Sequence, residues 1–296
     1  MKLLVITGDD LGYSKERNEG LVDCFRKGVI THTSLMVNGI AAEHGVTLCK
    51  KHSVPIGLHF NISEGVPVSE ATKSSSLVDK EALFLEKERF WEAAKGGHLD
   101  IKDVKVELEA QLTRFEALVG HPPIHVDGHQ HAHIFPGVRK AFAEVLGSRG
   151  IRSTRLPIDP VILSGDWIPS DYLDSFKVII ELSRQSLPVF QENGIRVSDC
   201  FFGLCTMGYD MTVDRLKTGI SRAYESVASG AGDAVCELMA HPGYMNGEVG
   251  GCGTGPDDFS QSEAREHEIH VLNDKALQAF YTQEQIKLVP FSECWQ

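Results

Sequence analysis

Short apolar segments alternate with helical segments from one end of this 296-residue chain to the other. The segments with the length and β-branched content of buried strands are 3–7, 32–37, 55–60, 124–127, 152–156, 200–204, 234–240 and 286–291. The segments with apolar residues at helical spacing are 14–27, 41–51, 101–119, 137–148, 171–192, 212–228 and 262–280. This repeated order predicts an α/β fold in which helices cover a parallel sheet.

The length favours a closed but irregular (β/α) barrel, TIM-like in outline, over an open sheet. No linker rich in Pro, Gly or Ser and no run of charge divides the chain, so we expect one domain over residues 1–296. Two stretches, 63–101 and 242–260, are longer than an ordinary strand–helix connection and are predicted to be loop insertions. Long loops on a barrel usually shape its binding site.

Composition excludes several classes of function. Lys and Arg number 29 against 41 Asp and Glu, a net charge of −12, which disfavours nucleic acid and anionic membrane surfaces as partners. The seven cysteines contain no C-x-x-C pair, and no segment has the roughly 18 apolar residues of a membrane span or the core of a signal peptide. We expect a cytoplasmic protein with reduced thiols, and the oligomeric state stays open, a homodimer included.

The first strand ends in two adjacent carboxylates, Asp9 and Asp10. Neighbouring carboxylates after an apolar strand are costly unless a cation or substrate lies between them. At a bend between strand and loop both can face one centre, one as a metal ligand and one as a base. The ordinary alternative is a solvated loop or a helix N-cap.

The strongest motif is the stretch 125–133, which reads HVDGHQHAH. Five of its residues recur at every second position, and they are His125, Asp127, His129, His131 and His133. Val126, Gly128, Gln130 and Ala132 lie between them. In extended geometry all five would share one face, although we expect the strand to end near Gly128. Imidazoles and carboxylates packed together need a metal or a polar network, so a metal or catalytic site is predicted here.

Three further strands contribute polar residues at their carboxyl ends. His59 and Asn61 alternate with apolar neighbours after the third strand, and His241 precedes a Pro-Gly turn after the strand 234–240. Arg155 follows the strand 152–156 and is either a substrate clamp or an ion-pair partner. The carboxyl ends of the strands form the catalytic face of a parallel barrel, so these side chains are expected to meet.

Four motifs in this order resemble the YdjC-like carbohydrate deacetylase family: GDDLG at 8–12, GLHFN at 57–61, HVDGHQHAH at 125–133 and HPGY at 241–244. The resemblance runs from the first strand through His241. It implies an irregular barrel related to the NodB-type polysaccharide deacetylases. It also implies one divalent metal, magnesium, and the removal of acetyl groups from N-acetylated mono- or oligosaccharides such as chitooligosaccharides.

The resemblance also implies roles for individual residues. Those given a role are Asp10, His59 and His129 as the metal ligands, Asp9 as the catalytic base, His241 as the late catalytic histidine, Arg155 as the substrate-side arginine, and Asp127, His131 and Asn61 as substrate-contacting or supporting residues. The stretches 63–101 and 242–260 match no family pattern, so the family's sugar preference does not transfer.

The chemistry also follows from the residue types. One carboxylate and two imidazoles leave open metal positions, where a bound water loses its proton more easily. Asp9 would take that proton, and His241 or His131 would protonate the departing amine. Two imidazoles favour zinc or cobalt, whereas the resemblance implies magnesium. The alternatives are another metal-assisted hydrolase on this barrel, such as a phosphoesterase, and a catalytically silent sugar- or metal-binding relative.

Overall fold

A computed structural model describes residues 1–162, 167–168, 170–227 and 232–295. Its strands are β1 (Lys2–Leu11), β2 (His32–Leu35), β3 (Ile56–Phe60), β4 (Val126–Gly128), β5 (Cys200–Phe202), β6 (Ala234–Ala240) and β7 (Ile286–Leu288). They form one sheet in the order β4-β3-β2-β1-β6-β5, and β7 pairs with the first residues of β1. Every pairing between these strands is parallel, as the alternation of strand and helix predicts.

The sheet continues past β4 through two single bridges. Val126 pairs with Thr154, and Ser153 pairs with Arg196, both in parallel. The prediction of a full strand over 152–156 is therefore wrong, because pairing stops after these bridges and Pro157 has no N–H to extend a ladder. The bridges carry the curl of the sheet from β4 towards β5, and the prediction of an irregular (β/α) barrel is confirmed.

Helices cover the outside of the sheet. They are α1 (Lys15–Arg26), α2 (Ala42–His52), α3 (Lys87–Lys95), α4 (Ile101–Val119), α5 (Val138–Ser148), α6 (Ser170–Glu192), α7 (Val213–Glu225), α8 (Asp258–Gln261), α9 (Ala264–Leu272) and α10 (Lys275–Gln283). The single helix predicted over 262–280 is wrong, because Asp274 caps a new helix by accepting the N–H of Ala276. The helix predicted over 212–228 ends earlier, and residue 228 lies outside the described residues. None of the helices in the described ranges has the length and apolar character to cross a membrane.

Alternate residues of β1 pack into two separate hydrophobic cores. Leu4 and Ile6 belong to the large cluster that the sheet forms with its helices. Leu3 and Val5 point to the inner face, where they cluster with Phe291 from the C-terminal segment. The Phe291 ring stacks on the imidazole of His125, with ring centroids 3.7 Å apart. The C-terminal segment thus covers the end of the barrel at which the strands begin.

Above this apolar layer the inner face of the sheet is charged. Arg155 is fully buried and pairs with three carboxylates from three strands: Nη1 lies 2.6 Å from Asp9, Nη2 lies 3.0 Å from Asp127, and Nε lies 2.8 Å from Glu237. Thr7 donates a further hydrogen bond to Glu237. Burial raises the pKa of Glu237 to about 7 even though Arg155 opposes the shift. One guanidinium therefore joins β1, β4 and β6 across the barrel.

Replacing Arg155 with Met should destabilise the protein by about 3–5 kcal/mol, because buried carboxylates would lose their counterion. The matched control is Arg26→Met, which removes an exposed ion pair with Asp23, and its cost should stay below about 1 kcal/mol. Urea denaturation of both variants at pH 7 measures the difference. Equal stabilities for the two variants would contradict the role given to Arg155.

His32 on β2 provides a pH-dependent contribution to stability. Its ring packs edge-on against Phe291, and neither ring nitrogen has a hydrogen-bond partner within the described residues. Burial lowers the pKa of His32 from 6.5 to about 4. The unfolded chain therefore binds more protons than the native protein between these values, and stability falls as the pH falls from 6.5 to 4.

His32→Leu should keep its stability at pH 7, since no hydrogen bond is lost, and should remove about 3 kcal/mol of the acid-induced loss. Chemical denaturation at pH 7 and at pH 4.5 provides the test. An unchanged difference between the two pH values in the variant would show that His32 is not responsible.

Candidate metal centre and active site

A β-bulge at the end of β1 places both aspartates at one centre. The register of β1 against β2 shifts between Gly8 and Leu11, and Asp10 has a φ of 67°, in the left-handed region. Adjacent strand residues ordinarily point to opposite faces, whereas a bulge re-aims one of them. Asp9 and Asp10 consequently both reach the inner side of the barrel, and each is buried. A non-glycine residue held at positive φ costs free energy and is found most often at functional sites.

Asp10, His59 and His129 bring three potential metal-binding atoms together. Asp10 Oδ1 lies 3.5 Å from His59 Nε2 and 3.4 Å from His129 Nδ1, and the two nitrogens are 3.3 Å apart. Oδ1 is buried and makes no well-formed hydrogen bond within the described residues. Burial alone would raise the pKa of Asp10, but contact with His129 and nearby positive charge hold it well below its usual value.

This triangle fits a divalent metal ion. Metal bonds of about 2.0–2.2 Å at tetrahedral angles separate neighbouring ligand atoms by about 3.3–3.6 Å. One carboxylate oxygen and two imidazole nitrogens are also a donor set that divalent metals accept. Asp10, His59 and His129 would hold such an ion, the same three residues that the sequence resemblance implies.

A carboxylate lies behind each of these imidazoles. Asp127 Oδ1 is 2.6 Å from His59 Nδ1, and Ser34 donates to Asp127 Oδ2 at 2.6 Å. Burial opposes ionisation of Asp127, but Arg155 and His59 hold its pKa well below the usual value. Glu64 contacts His129 as Asp127 contacts His59, with Oε2 3.0 Å from His129 Nε2. Glu64 lies at the start of the unmatched stretch 63–101, outside the motifs that predict the site.

Both carboxylate oxygens of Asp9 are bonded to the guanidinium of Arg155. Two hydrogen bonds join them, Nη1 to Oδ2 at 2.6 Å and Nη2 to Oδ1 at 2.8 Å. Two roles were left open for Arg155, a substrate clamp and an ion-pair partner, and in the structure it is an ion-pair partner. Burial raises the pKa of Asp9, although Arg155 and His59 act in the opposite direction. Asp9 is therefore a rigidly held carboxylate next to the Asp10 cluster.

His241 follows β6 and faces Asp9 from the opposite side, with Nε2 3.9 Å from Asp9 Oδ2. Charged side chains hold its backbone: its N–H donates to Glu268 at 2.6 Å, and its carbonyl accepts from Arg17 and Arg265 at 3.2 Å each. Burial lowers the pKa of His241 despite the proximity of a carboxylate. The three supporting residues were not predicted from the sequence, because charged residues on helices usually lie on solvated faces.

The remaining candidate residues are placed as follows. His131, with a φ of 58°, lies in a short 3-10 helix over His129–Ile134, and its ring packs edge-on against Phe201. Because the chain leaves extended geometry after β4, His133 does not share a face with His129, and its Nε2 donates to the carbonyl of Arg155. Asn61 is buried within its own loop, where Oδ1 accepts two backbone N–H groups and Nδ2 donates to the carbonyl of Glu64.

Both predicted insertions reach this site. The stretch 63–101 contains Glu64, a 3-10 helix over Glu70–Ser74 and α3. The stretch 242–260 contains Phe259, whose ring meets His241 edge-on at 5.9 Å between centroids. The Arg265 guanidinium also stacks on the Phe259 ring, 3.2 Å from its centroid. About a third of Phe259 is exposed, so the mouth of the site has an apolar wall.

Comparisons with known proteins agree with the resemblance seen in the four motifs. A family model described as YdjC-like protein matches residues 3–283. The carbohydrate deacetylase of Danio rerio is 44% identical over 306 residues, covering 98% of this chain and 97% of its own. The chitooligosaccharide deacetylase of Proteus mirabilis is 32% identical and covers 75% of this chain and 96% of its own.

The fold is also found in a solved structure. A crystal structure from Enterococcus faecalis, described in connection with cellobiose-phosphate cleavage, aligns with a TM-score of 0.74 over 98% of both chains. Its sequence identity is 17%, so this similarity concerns the fold alone. The match of the family model over nearly the whole length, together with the two deacetylases, establishes that the chain belongs to the YdjC-like protein family.

Proposed function

We propose that this protein is a metal-dependent hydrolase that removes acetyl groups from N-acetylated carbohydrates. The observation that carries the proposal is the bulge at Asp9 and Asp10, which sets a carboxylate beside a triangle of three metal-binding atoms. A metal-binding protein without turnover has no need of that additional carboxylate. The carbohydrate and chitooligosaccharide deacetylases among the relatives supply the substrate class.

The residues support hydrolysis of an acetamide in a definite order. A divalent metal held by Asp10, His59 and His129 would supply an acidified water and polarise the acetyl carbonyl. Asp9, fixed by Arg155, accepts a proton from the attacking water. His241, whose Nε2 lies 3.9 Å from Asp9 Oδ2, would take that proton from Asp9 and pass it to the departing sugar amine. His131 is the alternative acid, with a buried Nδ1 that lacks a partner within the described residues.

A phosphoesterase is the less suitable alternative. Phosphate recognition favours arginines with free donor groups. Arg155, the arginine of the inner face, directs its guanidinium to three carboxylates. The resemblance points to magnesium as the metal and the two imidazoles point to zinc or cobalt, so metal analysis of the purified protein decides between them.

Seven buried, unpaired cysteines agree with action in the reducing cytoplasm.

Asp10→Asn and His129→Ala should both lose the metal and the activity, because each removes one of three ligands. Asp9→Asn should keep the metal but lose turnover by about 10²–10⁴-fold, the usual contribution of a general base. Metal content and acetate release are measured on the same samples. The control is Asp174→Asn on an exposed side chain, which should change neither quantity, and full activity in metal-free Asp10→Asn would refute the ligand assignment.

Removal of the metal with a chelator should abolish acetate release from N-acetylglucosamine oligomers, and addition of Mg²⁺, Zn²⁺ or Co²⁺ should restore it. The oligomers are tested beside the monosaccharide and an O-acetylated sugar, since the resemblance does not determine sugar preference. Acetate is measured enzymatically. Undiminished release after complete removal of the metal would contradict a metal-dependent mechanism, and no release from any N-acetyl sugar would favour the binding protein.

A further inference from the structure

We infer that Glu64 is a positioning residue that holds His129 with Nδ1 directed at the metal centre. Glu64 Oε2 lies 3.0 Å from His129 Nε2, the nitrogen on the far side of the ring from Asp10. The inference rests on the metal site of the proposed function but does not depend on the substrate being a sugar. Glu64 has no role in the motifs that carry the family resemblance.

The hydrogen bond determines which nitrogen of His129 carries the proton. A carboxylate accepts hydrogen bonds and cannot donate when ionised, so Nε2 must carry the hydrogen that Glu64 accepts. In the neutral ring this leaves the lone pair on Nδ1, the atom 3.4 Å from Asp10 Oδ1 and 3.3 Å from His59 Nε2. Without Glu64 the other tautomer, with its proton directed into the triangle, would become available.

His59 and Asp127 form the matching pair with the opposite nitrogens. His59 presents Nε2 to the centre and Nδ1 to Asp127, whereas His129 presents Nδ1 to the centre and Nε2 to Glu64. A carboxylate behind a metal-binding imidazole typically fixes the ring and raises its basicity. The structure thus gives each imidazole its own carboxylate, and only Asp127 lies within the histidine-rich motif.

The backbone of Glu64 is fixed by the loop after β3. Asn61 Oδ1 accepts the N–H of Glu64 at 3.1 Å, and Asn61 Nδ2 donates to its carbonyl at 2.9 Å. Gly65 then turns with a φ of 78°, and a side chain there would collide with Cys252 from the second insertion. The Glu64 side chain is only 16% exposed, so its bond to His129 is largely shielded from water.

His129 needs such a brace because β4 no longer holds it. The strand ends at Gly128, and the two residues that follow His129, Gln130 and His131, have left-handed φ values of 50° and 58°. Glu64 approaches His129 from the side of the ring away from Asp10 and His59, with Oε2 3.0 Å from Nε2. Its position across the ring from Nδ1 gives it an orienting role instead of a role as a fourth ligand.

Zn²⁺ titration of the metal-free protein, followed by calorimetry, tests the inference without any sugar. Glu64→Ala should weaken Zn²⁺ binding by about 10–100-fold, the usual effect of losing such a partner. Glu64→Gln, whose amide oxygen can still accept the hydrogen bond, should weaken binding less. Glu70→Gln is the control, since its side chain is 85% exposed and pairs only with Lys73 in the described contacts, and it should bind Zn²⁺ as the unaltered protein does.

Nitrogen NMR of the Zn²⁺-loaded protein supplies a second measurement that a general loss of stability would not alter. His129 should carry its proton on Nε2 and its metal on Nδ1, and Glu64→Ala should lose this single arrangement while thermal unfolding shows a folded protein. Unchanged Zn²⁺ affinity together with unchanged His129 nitrogens in Glu64→Ala would overturn the inference. The remaining outcome is weaker Zn²⁺ binding in Glu64→Ala while the unaltered protein releases no acetate from any N-acetyl sugar. That outcome would sustain the inference and refute the proposed function.

Discussion

The structure depends on one buried guanidinium. Arg155 touches carboxylates from β1, β4 and β6 and pairs with four of their oxygens. Buried charges are tolerated only when they are paired with good geometry. These carboxylates lie on the inner face of the sheet, so the inside of the barrel is polar near the carboxyl ends of the strands. The apolar cores lie between the sheet and its helices and at the end of the barrel where the strands begin. The site is built directly on this polar layer.

Each residue of the proposed chemistry is held by a partner in or next to that layer. Arg155 fixes Asp9 on one side and Asp127 on the other, and Asp127 in turn fixes His59. A change in the guanidinium would therefore reach both the proposed base, Asp9, and a proposed metal ligand, His59. His241 is the exception, because charged helix residues outside the layer hold its backbone. The proposed metal centre and His241 thus have separate supports.

The sequence identified the strands well wherever apolar runs were uninterrupted. β6 has the predicted bounds, and α4 begins and ends at the predicted residues. The errors have physical causes: residues 152–156 find neighbours for only two bridges, and the helix over 262–280 is interrupted by a capping aspartate. Local pattern cannot report either effect, since one depends on distant strands and the other on competition between a cap and a continuing helix.

The residues of the candidate site also divide into those that local pattern identifies and those that only long-range contacts reveal. Motif spacing alone was enough to place Asp9, Asp10, His59, Asp127, His129 and His241 at the carboxyl ends of strands, because strand alternation and apolar flanks are local properties. Glu64, Arg17, Arg265 and Glu268 could not be identified in this way, since each acts on a residue far from it in the chain or on a backbone group.

The sequence by itself determined the order of strands and helices, the family and the set of polar residues available to one end of the barrel. Only the tertiary structure decided that the β1 bulge turns two adjacent aspartates towards one centre, that Arg155 is an ion-pair partner, and which nitrogen of each histidine faces that centre. These outcomes depend on distances between residues far apart in the chain, and burial makes such contacts strong enough to select one arrangement.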